Sequence, residues 1–405
     1  MDKGKWQLLL NNTGVVAMHM ALTHHNTVIM FDQAGVGQLG YRLRHRFNGT
    51  SLVSSKTGLV MHILSTMGHF YKVVDMASRR IRYFRPCENG HYNWKQLKWL
   101  LSDARWYASN QILPAANDRV ILVGGRESFI YEFVPKLSSS SRDKSFSLSF
   151  LQRTYERNAR GNNLYPFTFS RMAIWDGSRN CPSSGSSVLL SLDHSNNFRK
   201  VKVMVCGGAA AGAYRVAAQG RFLKGLSSCG TMVITRNKHV WKMEHMPEPR
   251  LLNNMLILPT GHILIINGAK RGSAGWNNAA SLSLRPYLYK PRKTLGKVHF
   301  QQRGYPTELR LQALVLHYMD RRHHNLRPLN VSINYYSSLN SGVKYGGEFS
   351  VEFWLERRSS NYVEFTAYEP PFTTHSVSMN QRMLRPRCEG SKWMSECGFG
   401  GPFFF

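Results

Sequence analysis

The chain has 405 residues, 42% of them hydrophobic and 12% aromatic, so it is long enough to bury a large core. No apolar run reaches the roughly 18 residues of a membrane-spanning helix, so we expect no transmembrane helix and no membrane partner. The net charge of +30 (53 Lys and Arg against 23 Asp and Glu) favours acidic partners but indicates no particular fold.

The first predicted element is a strand at the N-terminus. Lys3 and Lys5 precede the apolar run Trp6–Leu10, as in a secretory signal. Asn11 then interrupts the run, and no small-residue cleavage site follows. We therefore interpret this segment as the first strand of the fold and expect no signal peptide in this chain.

Short strand signals dominate the sequence that follows. Runs rich in Val, Ile, Tyr and Phe are bounded by Gly, Pro, Asn and Ser, as in Thr27–Asp32, Ile130–Pro135 and Lys202–Gly208. No convincing amphipathic helix with capping residues is present. The pattern predicts an all-β protein.

One segment of the chain occurs twice in outline. Arg105–Pro114 returns as Arg250–Pro259, a displacement of 145 residues, and each copy continues into a β-rich run that ends in glycine. The displacement equals about three units of ~48 residues, close to the ~50-residue period of kelch propellers. The repeat therefore predicts β-propeller blades. Tyr107 falls where the second copy has Leu252, so its phenol is not a requirement of the blade.

Other candidate sites are disfavoured by local geometry. Adjacent histidines on a strand, such as His24-His25 and His323-His324, point to opposite faces and cannot easily chelate one ion. The glycine pairs Gly124-Gly125 and Gly207-Gly208 follow strands but precede no helix, which argues against a phosphate-binding loop. None of the six cysteines forms a CxxC pair, so a zinc site is not expected, and 15 complete disulfide pairings remain open.

The pattern changes near Tyr305-Pro306. Val331–Tyr335, Phe349–Leu355 and Tyr362–Ala367 alternate like strands of a β-sandwich. We predict a propeller over residues 1–303, a smaller sandwich over 304–384 and an irregular tail over 385–405.

Several motifs in combination resemble one family. They are Ile81–Cys87, Arg105–Ala108, Asn180–Ser187, Gly272–Asn277, Tyr305–Glu308 and Pro370–Ser376. The chain resembles the plant glyoxal oxidases, which are galactose-oxidase-like copper radical oxidases. The resemblance implies a seven-bladed kelch-type propeller, incomplete here, followed by an immunoglobulin-like sandwich, and a monomeric, secreted protein of the extracellular space or cell wall. It implies that O2 oxidises small aldehydes, with the uptake of water, to carboxylic acids and is itself reduced to hydrogen peroxide.

The resemblance also gives roles to two residues. Tyr107 matches the tyrosine that the family cross-links to a cysteine, uses as a radical and binds to copper through its phenolate. His375 matches a copper-binding imidazole on a sandwich loop that enters the propeller pore. Imidazole and phenolate both suit Cu(II).

The remaining copper-site residues are absent from the matching positions. Residues 50–78, where the family has its cross-linking cysteine, contain no cysteine. The axial tyrosine and second histidine form a Tyr-His pair in the family, whereas in this chain His299 follows Val298. Residues 167–176 are also too few for the blade expected there. We therefore predict that copper binding is reduced to Tyr107 and His375 and that this chain is catalytically impaired.

A second hypothesis is not enzymatic. Under this hypothesis, the chain is a non-catalytic, propeller-derived protein that binds acidic cell-wall polysaccharide through its cationic surface. Specific nucleic-acid binding is disfavoured, because the basic clusters Arg79–Arg82, Arg321–His324 and Arg357-Arg358 form no recognition helix.

Overall fold

The computed structural model describes residues 5–11, 19–22, 28–31, 49–53, 60–64, 79–84, 95–105, 107–113, 120–125, 127–134, 145–153, 177–275, 277–291, 296–297, 311–335, 347–357, 364–369, 371–390 and 395–398. Strands make up most of these residues, which confirms the predicted all-β class. Within the same residues no helix is long and apolar enough to cross a bilayer.

The strands fall into three groups in chain order. The first group is β1 (Lys5–Leu10), β2 (His19–Leu22), β3 (Val28–Phe31), β4 (Gly49–Val53), β5 (Val60–Leu64), β6 (Arg80–Phe84), β7 (Lys95–Leu100), β8 (Ser109–Ile112), β9 (Val120–Val123), β10 (Ile130–Val134) and β11 (Phe146–Ser147). The second group is β12 (Gly177–Ser178), β13 (Ser186–Leu189), β14 (Leu192–Asp193), β15 (Lys202–Cys206), β16 (Ala209–Ala210), β17 (Ser228–Val233), β18 (Lys242–His245), β19 (Asn254–Ile257), β20 (Ile263–Ile266), β21 (Ala269–Gly272), β22 (Ala279–Leu282), β23 (Tyr287–Tyr289) and β24 (Gly296–Lys297). The last group is β25 (Leu311–Val315), β26 (Leu329–Tyr335), β27 (Glu348–Trp354), β28 (Ala367–Glu369), β29 (Phe372–Thr374), β30 (Val377–Met379), β31 (Arg382–Arg385), β32 (Arg387–Gly390) and β33 (Ser395–Gly398).

Helical segments are short. The two α-helices among the described residues are α1 (Ser149–Arg153) and α2 (Ala213–Ala217), and 3-10 turns lie at His194–Asn196, His317–Met319 and Arg321–Leu326.

Four four-stranded antiparallel sheets follow one another along the chain. They are β4-β5-β6-β7, β8-β9-β10-β11, β13-β15-β17-β18 and β19-β20-β23-β24, and in each the strands pair in sequence order. This up-and-down arrangement is that of propeller blades. The total number of blades and the predicted boundary near residue 303 stay predictions.

Apolar side chains between consecutive sheets form the core. One cluster joins the third and fourth sheets through residues such as Met204, Met255 and Ile265, each with no exposed surface. A second cluster joins the first two sheets through Ile81, Leu101 and Leu122, among others. Strands such as β15 and β20 bury consecutive residues, so both of their faces are covered.

A hairpin of β29 and β30 lies among the inner strands of the sheets. It pairs through β29 with β2, and β30 contacts β8, β13 and β19, which are the first strands of three consecutive four-stranded sheets. The tip of the hairpin carries His375 and Ser376. The fold therefore places this tip where the first strands of several sheets converge.

The repeat has a different period from the one predicted. Arg105, Arg179 and Arg250 each precede one four-stranded sheet, at intervals of 74 and 71 residues. In the described residues the displacement of 145 therefore covers two sheets, and the expectation of three ~48-residue units is wrong there. The longer interval reflects inserted loops and short additional strands, such as β14 and β16, which lie in sequence between strands of the sheet that follows Arg179 but pair in other sheets.

The C-terminal part forms a further sheet with the order β26-β27-β33-β32. The predicted strand at residues 331–335 is thus confirmed within β26, and the one at 349–355 is confirmed by β27 except at its last residue. The predicted strand at 362–367 is wrong for the described residues 364–366, and only Ala367 lies in a strand, β28. The expectation of an irregular tail over 385–405 is wrong for 387–390 and 395–398, which form the hairpin of β32 and β33. β33 of this hairpin pairs with β27 and so extends the sheet. Such a long-range pairing cannot be predicted from the local alternation of apolar and polar residues.

Candidate metal centre

Tyr107 occupies a backbone position that recurs before each of three sheets. Tyr107, Ser184 and Leu252 all have a left-handed backbone, with φ of 60°, 52° and 55°. Such a conformation costs a non-glycine residue about 1–3 kcal/mol and requires support from its surroundings. The blade therefore dictates the turn, whereas the aromatic side chain is particular to Tyr107, which is only 6% exposed.

Arg105 holds this turn in place. Its guanidinium binds the Glu132 carboxylate through Nε (3.1 Å) and Nη2 (2.9 Å) to Oε1, and both side chains are completely buried. Its Nη1 donates to the carbonyl oxygens of Gly124 (2.7 Å) and Ile130 (3.1 Å). The second carboxylate oxygen of Glu132 accepts the backbone N–H of Ser102 at 3.0 Å. The loop before β8 is thereby tied to β9 and β10.

The other two repeat arginines make the corresponding contact. Arg179 Nη1 donates to the Gly207 carbonyl, and Arg250 Nη1 donates to the Asn267 carbonyl at 3.0 Å. Gly124, Gly207 and Asn267 all have positive φ at the end of a strand. The motif is therefore an arginine that binds the carbonyl of a left-handed strand end, and it is structural.

His375 lies at the tip of the β29–β30 hairpin with φ of 52°. Its imidazole Nδ1 contacts Thr374 Oγ1 at 2.9 Å, and its carbonyl accepts a hydrogen bond from Asn254 Nδ2 at 3.2 Å. Asn254 Oδ1 in turn accepts from Asn267 Nδ2 at 3.0 Å. The tip is thus attached to the fourth sheet, and Nδ1 is engaged by a neighbouring side chain.

Two further contacts attach the base of the hairpin. Gln381 Oε1 accepts the Ile257 backbone N–H at 2.7 Å, so a side-chain amide serves as partner for β19. Asn380 Oδ1 accepts from Gln111 Nε2 at 2.5 Å, and its Nδ2 donates to Glu369. These residues were not predicted from the sequence, because isolated amide side chains form no pattern.

The structure brings together the two residues predicted for the site. The rings of Tyr107 and His375 meet edge to face, with centroids 4.6 Å apart and an interplanar angle of 66°. The two residues are 268 positions apart in the chain. Their contact places a phenol and an imidazole side by side among the inner strands; their roles toward copper stay a prediction.

Burial keeps the His375 imidazole neutral. Desolvation lowers the pKa of His375 from 6.5 to about 4, because a charged ring loses its hydration there. A neutral imidazole is the form that binds metal ions. At pH 7 the side chain is therefore in the ligand state.

This pKa makes the stability of the metal-free protein depend on pH. As pH falls below 6.5 the unfolded chain takes up the His375 proton before the folded chain does, so stability falls until about pH 4. We expect wild type to lose about 2–3 kcal/mol between pH 7 and pH 4.5 relative to His375→Gln. Urea unfolding of both proteins at the two pH values measures the difference. If the stability of wild type and His375→Gln changed equally with pH, the lowered pKa of His375 would be contradicted.

The part of the chain that the structure describes gathers few of the usual metal-binding side chains at this centre. Within the described ranges no group of three or more His, Cys, Asp or Glu side chains could hold a metal ion. Cys206 and Cys229 form a disulfide, with Cα atoms 4.1 Å apart, and burial raises the pKa of the free Cys181 thiol to about 11. Cys87 and His299 lie outside the described residues.

Family comparisons cover most of the chain. The family described as Glyoxal oxidase N-terminus matches residues 63–173 and 169–311, two segments that overlap at 169–173. The galactose oxidase-like early set domain matches residues 332–402, which include part of the predicted tail.

Individual relatives agree with these matches. Aldehyde oxidase GLOX of Vitis pseudoreticulata is 28% identical, with 94% of this chain and 87% of the relative covered. Aldehyde oxidase GLOX1 of Arabidopsis thaliana is 29% identical, with 94% and 76% covered. A fungal alcohol oxidase of the AA5 family, solved in complex with copper, shares the fold with a TM-score of 0.65 at 12% identity, covering 98% of this chain and 93% of the other.

Proposed function

Since the chain belongs to the glyoxal oxidase family, with its galactose-oxidase-like fold, we propose that it binds one copper ion at Tyr107 and His375 but does not turn over aldehydes. The observation that carries the proposal is the edge-to-face contact of these two side chains at the tip of the β29–β30 hairpin. A phenolate and a neutral imidazole suit Cu(II). Because Nδ1 of His375 contacts Thr374, Nε2 is the candidate donor atom.

The expected impairment follows from electron counting. Aldehyde, water and O2 yield a carboxylic acid and hydrogen peroxide in a two-electron oxidation. When bound, copper would accept one of the two electrons, and in the family the radical of a cysteine-linked tyrosine accepts the other. This chain has no cysteine in residues 50–78, where the family carries the linking residue. Without the thioether, the potential of the Tyr107 radical is not lowered.

Internal shortening of the chain supports the same proposal. The family matches in two segments that meet at 169–173, close to the position where a blade was predicted to be missing. The alignment with the Vitis aldehyde oxidase is 475 positions long although this chain has 405 residues, so the relative carries segments that face gaps in this chain. The loss of such segments is a route by which copper-binding side chains disappear.

We also place the protein in an oxidising compartment, consistent with an extracellular or cell-wall location. The buried Cys206–Cys229 disulfide joins adjacent strands β15 and β17, and Cys388 is disulfide-bonded as well. Disulfides of this kind persist in secreted proteins and are rare in the cytosol.

Peroxide release tests the proposed function. Protein loaded with one equivalent of Cu(II) and oxidised is mixed with methylglyoxal in air, and peroxide is measured with a peroxidase-coupled dye. We expect a rate no higher than that of Tyr107→Phe, which retains the ring but cannot bind copper through oxygen. Steady peroxide release that Tyr107→Phe abolishes would show a competent oxidase and overturn the proposal.

A further inference from the structure

A basic surface forms at one end of the third four-stranded sheet from two separate segments. Residues 199–202 read Arg-Lys-Val-Lys, and residues 234–242 read Ile-Thr-Arg-Asn-Lys-His-Val-Trp-Lys. The basic edge, as we name it, comprises Arg199, Lys200, Lys202, Arg236, Lys238 and Lys242. Neither segment contains an acidic residue.

Backbone contacts hold the two segments side by side. The N–H of Ile234 donates to the Val201 carbonyl at 2.9 Å, and the N–H of Val201 donates to Thr235 Oγ1 at 3.2 Å. Val201 lies between Lys200 and Lys202 in the chain, so the turn that carries Arg236 runs beside both lysines. The cations are thus gathered by the fold and not by local sequence.

The positive charges of the basic edge repel one another. Burial lowers the pKa of Lys202, and the positive charges of Lys200, Arg236 and Lys242 lower it further. Except for Lys202, the members of the basic edge are exposed to solvent. A cluster in which like charges repel gains stability when an anion neutralises it.

The other conspicuous basic segment is different. In Arg321–His324, Arg322 Nε is 3.1 Å from Asp320 Oδ1, so its charge is partly compensated within the turn.

The basic edge is not evident in the sequence because its two halves are separated by more than 30 residues, and neither half alone is denser in charge than the other basic segments.

We propose that the basic edge binds a linear acidic polysaccharide rich in carboxylates. Repeated carboxylates along an extended chain can contact several spaced cations at once. The partly exposed indole of Trp241, next to Lys242, offers an apolar face for a sugar ring. The disulfide between Cys206 and Cys229 favours an oxidising extracellular setting, where acidic glycans are the expected polyanions. This function does not depend on copper.

Charge reversal on the full-length, copper-free protein tests the proposal. The test variant is Arg236→Glu with Lys242→Glu. The matched control is Arg221→Glu with Lys224→Glu, which exchanges one exposed arginine and one exposed lysine in the loop after α2. Leu226 in that loop donates to the Gly208 carbonyl beyond the other end of β15 at 2.9 Å, so the control lies away from the basic edge. Circular dichroism and urea unfolding verify that both variants fold.

Binding to polygalacturonate is measured by calorimetry at about 50 mM and about 200 mM NaCl, since screening weakens charge contacts. We expect wild type and control to bind alike, the test variant to bind at least about tenfold more weakly, and wild-type binding to fall at the higher salt. Equal weakening of both variants would mean diffuse attraction by net charge and would overturn the proposal. Tighter binding of single-stranded DNA of similar length, lost in the same test variant, would assign the surface to nucleic acid instead.

Discussion

Replacing Arg105 by methionine is expected to lower the free energy of unfolding by about 3–5 kcal/mol. The guanidinium and the Glu132 carboxylate are both completely buried and lie 2.9 Å apart. Without its partner, the carboxylate keeps the Ser102 N–H but loses the opposite charge that offsets its desolvation. The Gly124 and Ile130 carbonyls also lose a donor. The loop that carries Tyr107 would lose the attachment that Arg105 provides to β9 and β10.

Urea unfolding followed by tryptophan fluorescence measures this loss. The informative comparison is the double variant Arg105→Met with Glu132→Leu, which removes both charges. Because the penalty comes mainly from the unpaired carboxylate, we expect the double variant to recover most of the stability. A double variant as unstable as Arg105→Met alone would show that the hydrogen bonds to the carbonyls, and not the ion pair, support the loop.

The repeat shows which part of the fold the sequence could predict. Arg105 and Arg250 lie two residues before Tyr107 and Leu252, which have the left-handed backbone conformation. The two copies of the repeat therefore align without a gap. Arg179 stands five residues before the equivalent Ser184. Because of the three additional residues, the copy at Arg179 does not align with the other two in the sequence. The predicted period of the repeat is therefore wrong, although the β-propeller class is predicted correctly.

Long-range strand pairing explains why the prediction of an irregular tail over 385–405 is wrong for β32 and β33. β32 (Arg-Cys-Glu-Gly) and β33 (Ser-Glu-Cys-Gly) show no apolar alternation. Their strand conformation depends on the edge that β27 offers. Strand formation of this kind reflects tertiary context more than intrinsic propensity.

The site could be predicted only in part. Tyr107 and His375 were identified from motifs that resemble a family, and the contact between their rings agrees with that pairing. The amides of Asn254 and Asn380 that attach the hairpin could not be predicted, because their function depends on contacts across more than 100 residues of chain. Polar side-chain contacts of that separation leave no periodic signal.

One imidazole nitrogen is expected in the copper spectrum of this protein. With one equivalent of Cu(II), electron paramagnetic resonance should show a tetragonal signal with hyperfine coupling to a single nitrogen, that of His375. His375→Ala should abolish the coupling and weaken Cu(II) binding by about a hundredfold or more, because a direct ligand contributes at least as much as the partners that orient it. Tyr107→Phe should keep the nitrogen coupling but lose the absorption of a phenolate bound to copper.

The control for adventitious binding is His245→Ala, since His245 is exposed at the end of β18. This variant should leave spectrum and affinity unchanged. Coupling to two or more nitrogens in wild type would contradict a two-donor centre and would mean that a second imidazole of the chain completes the site. The nitrogen count thus separates a reduced copper centre from a complete one without relying on turnover, because it reports the ligands themselves.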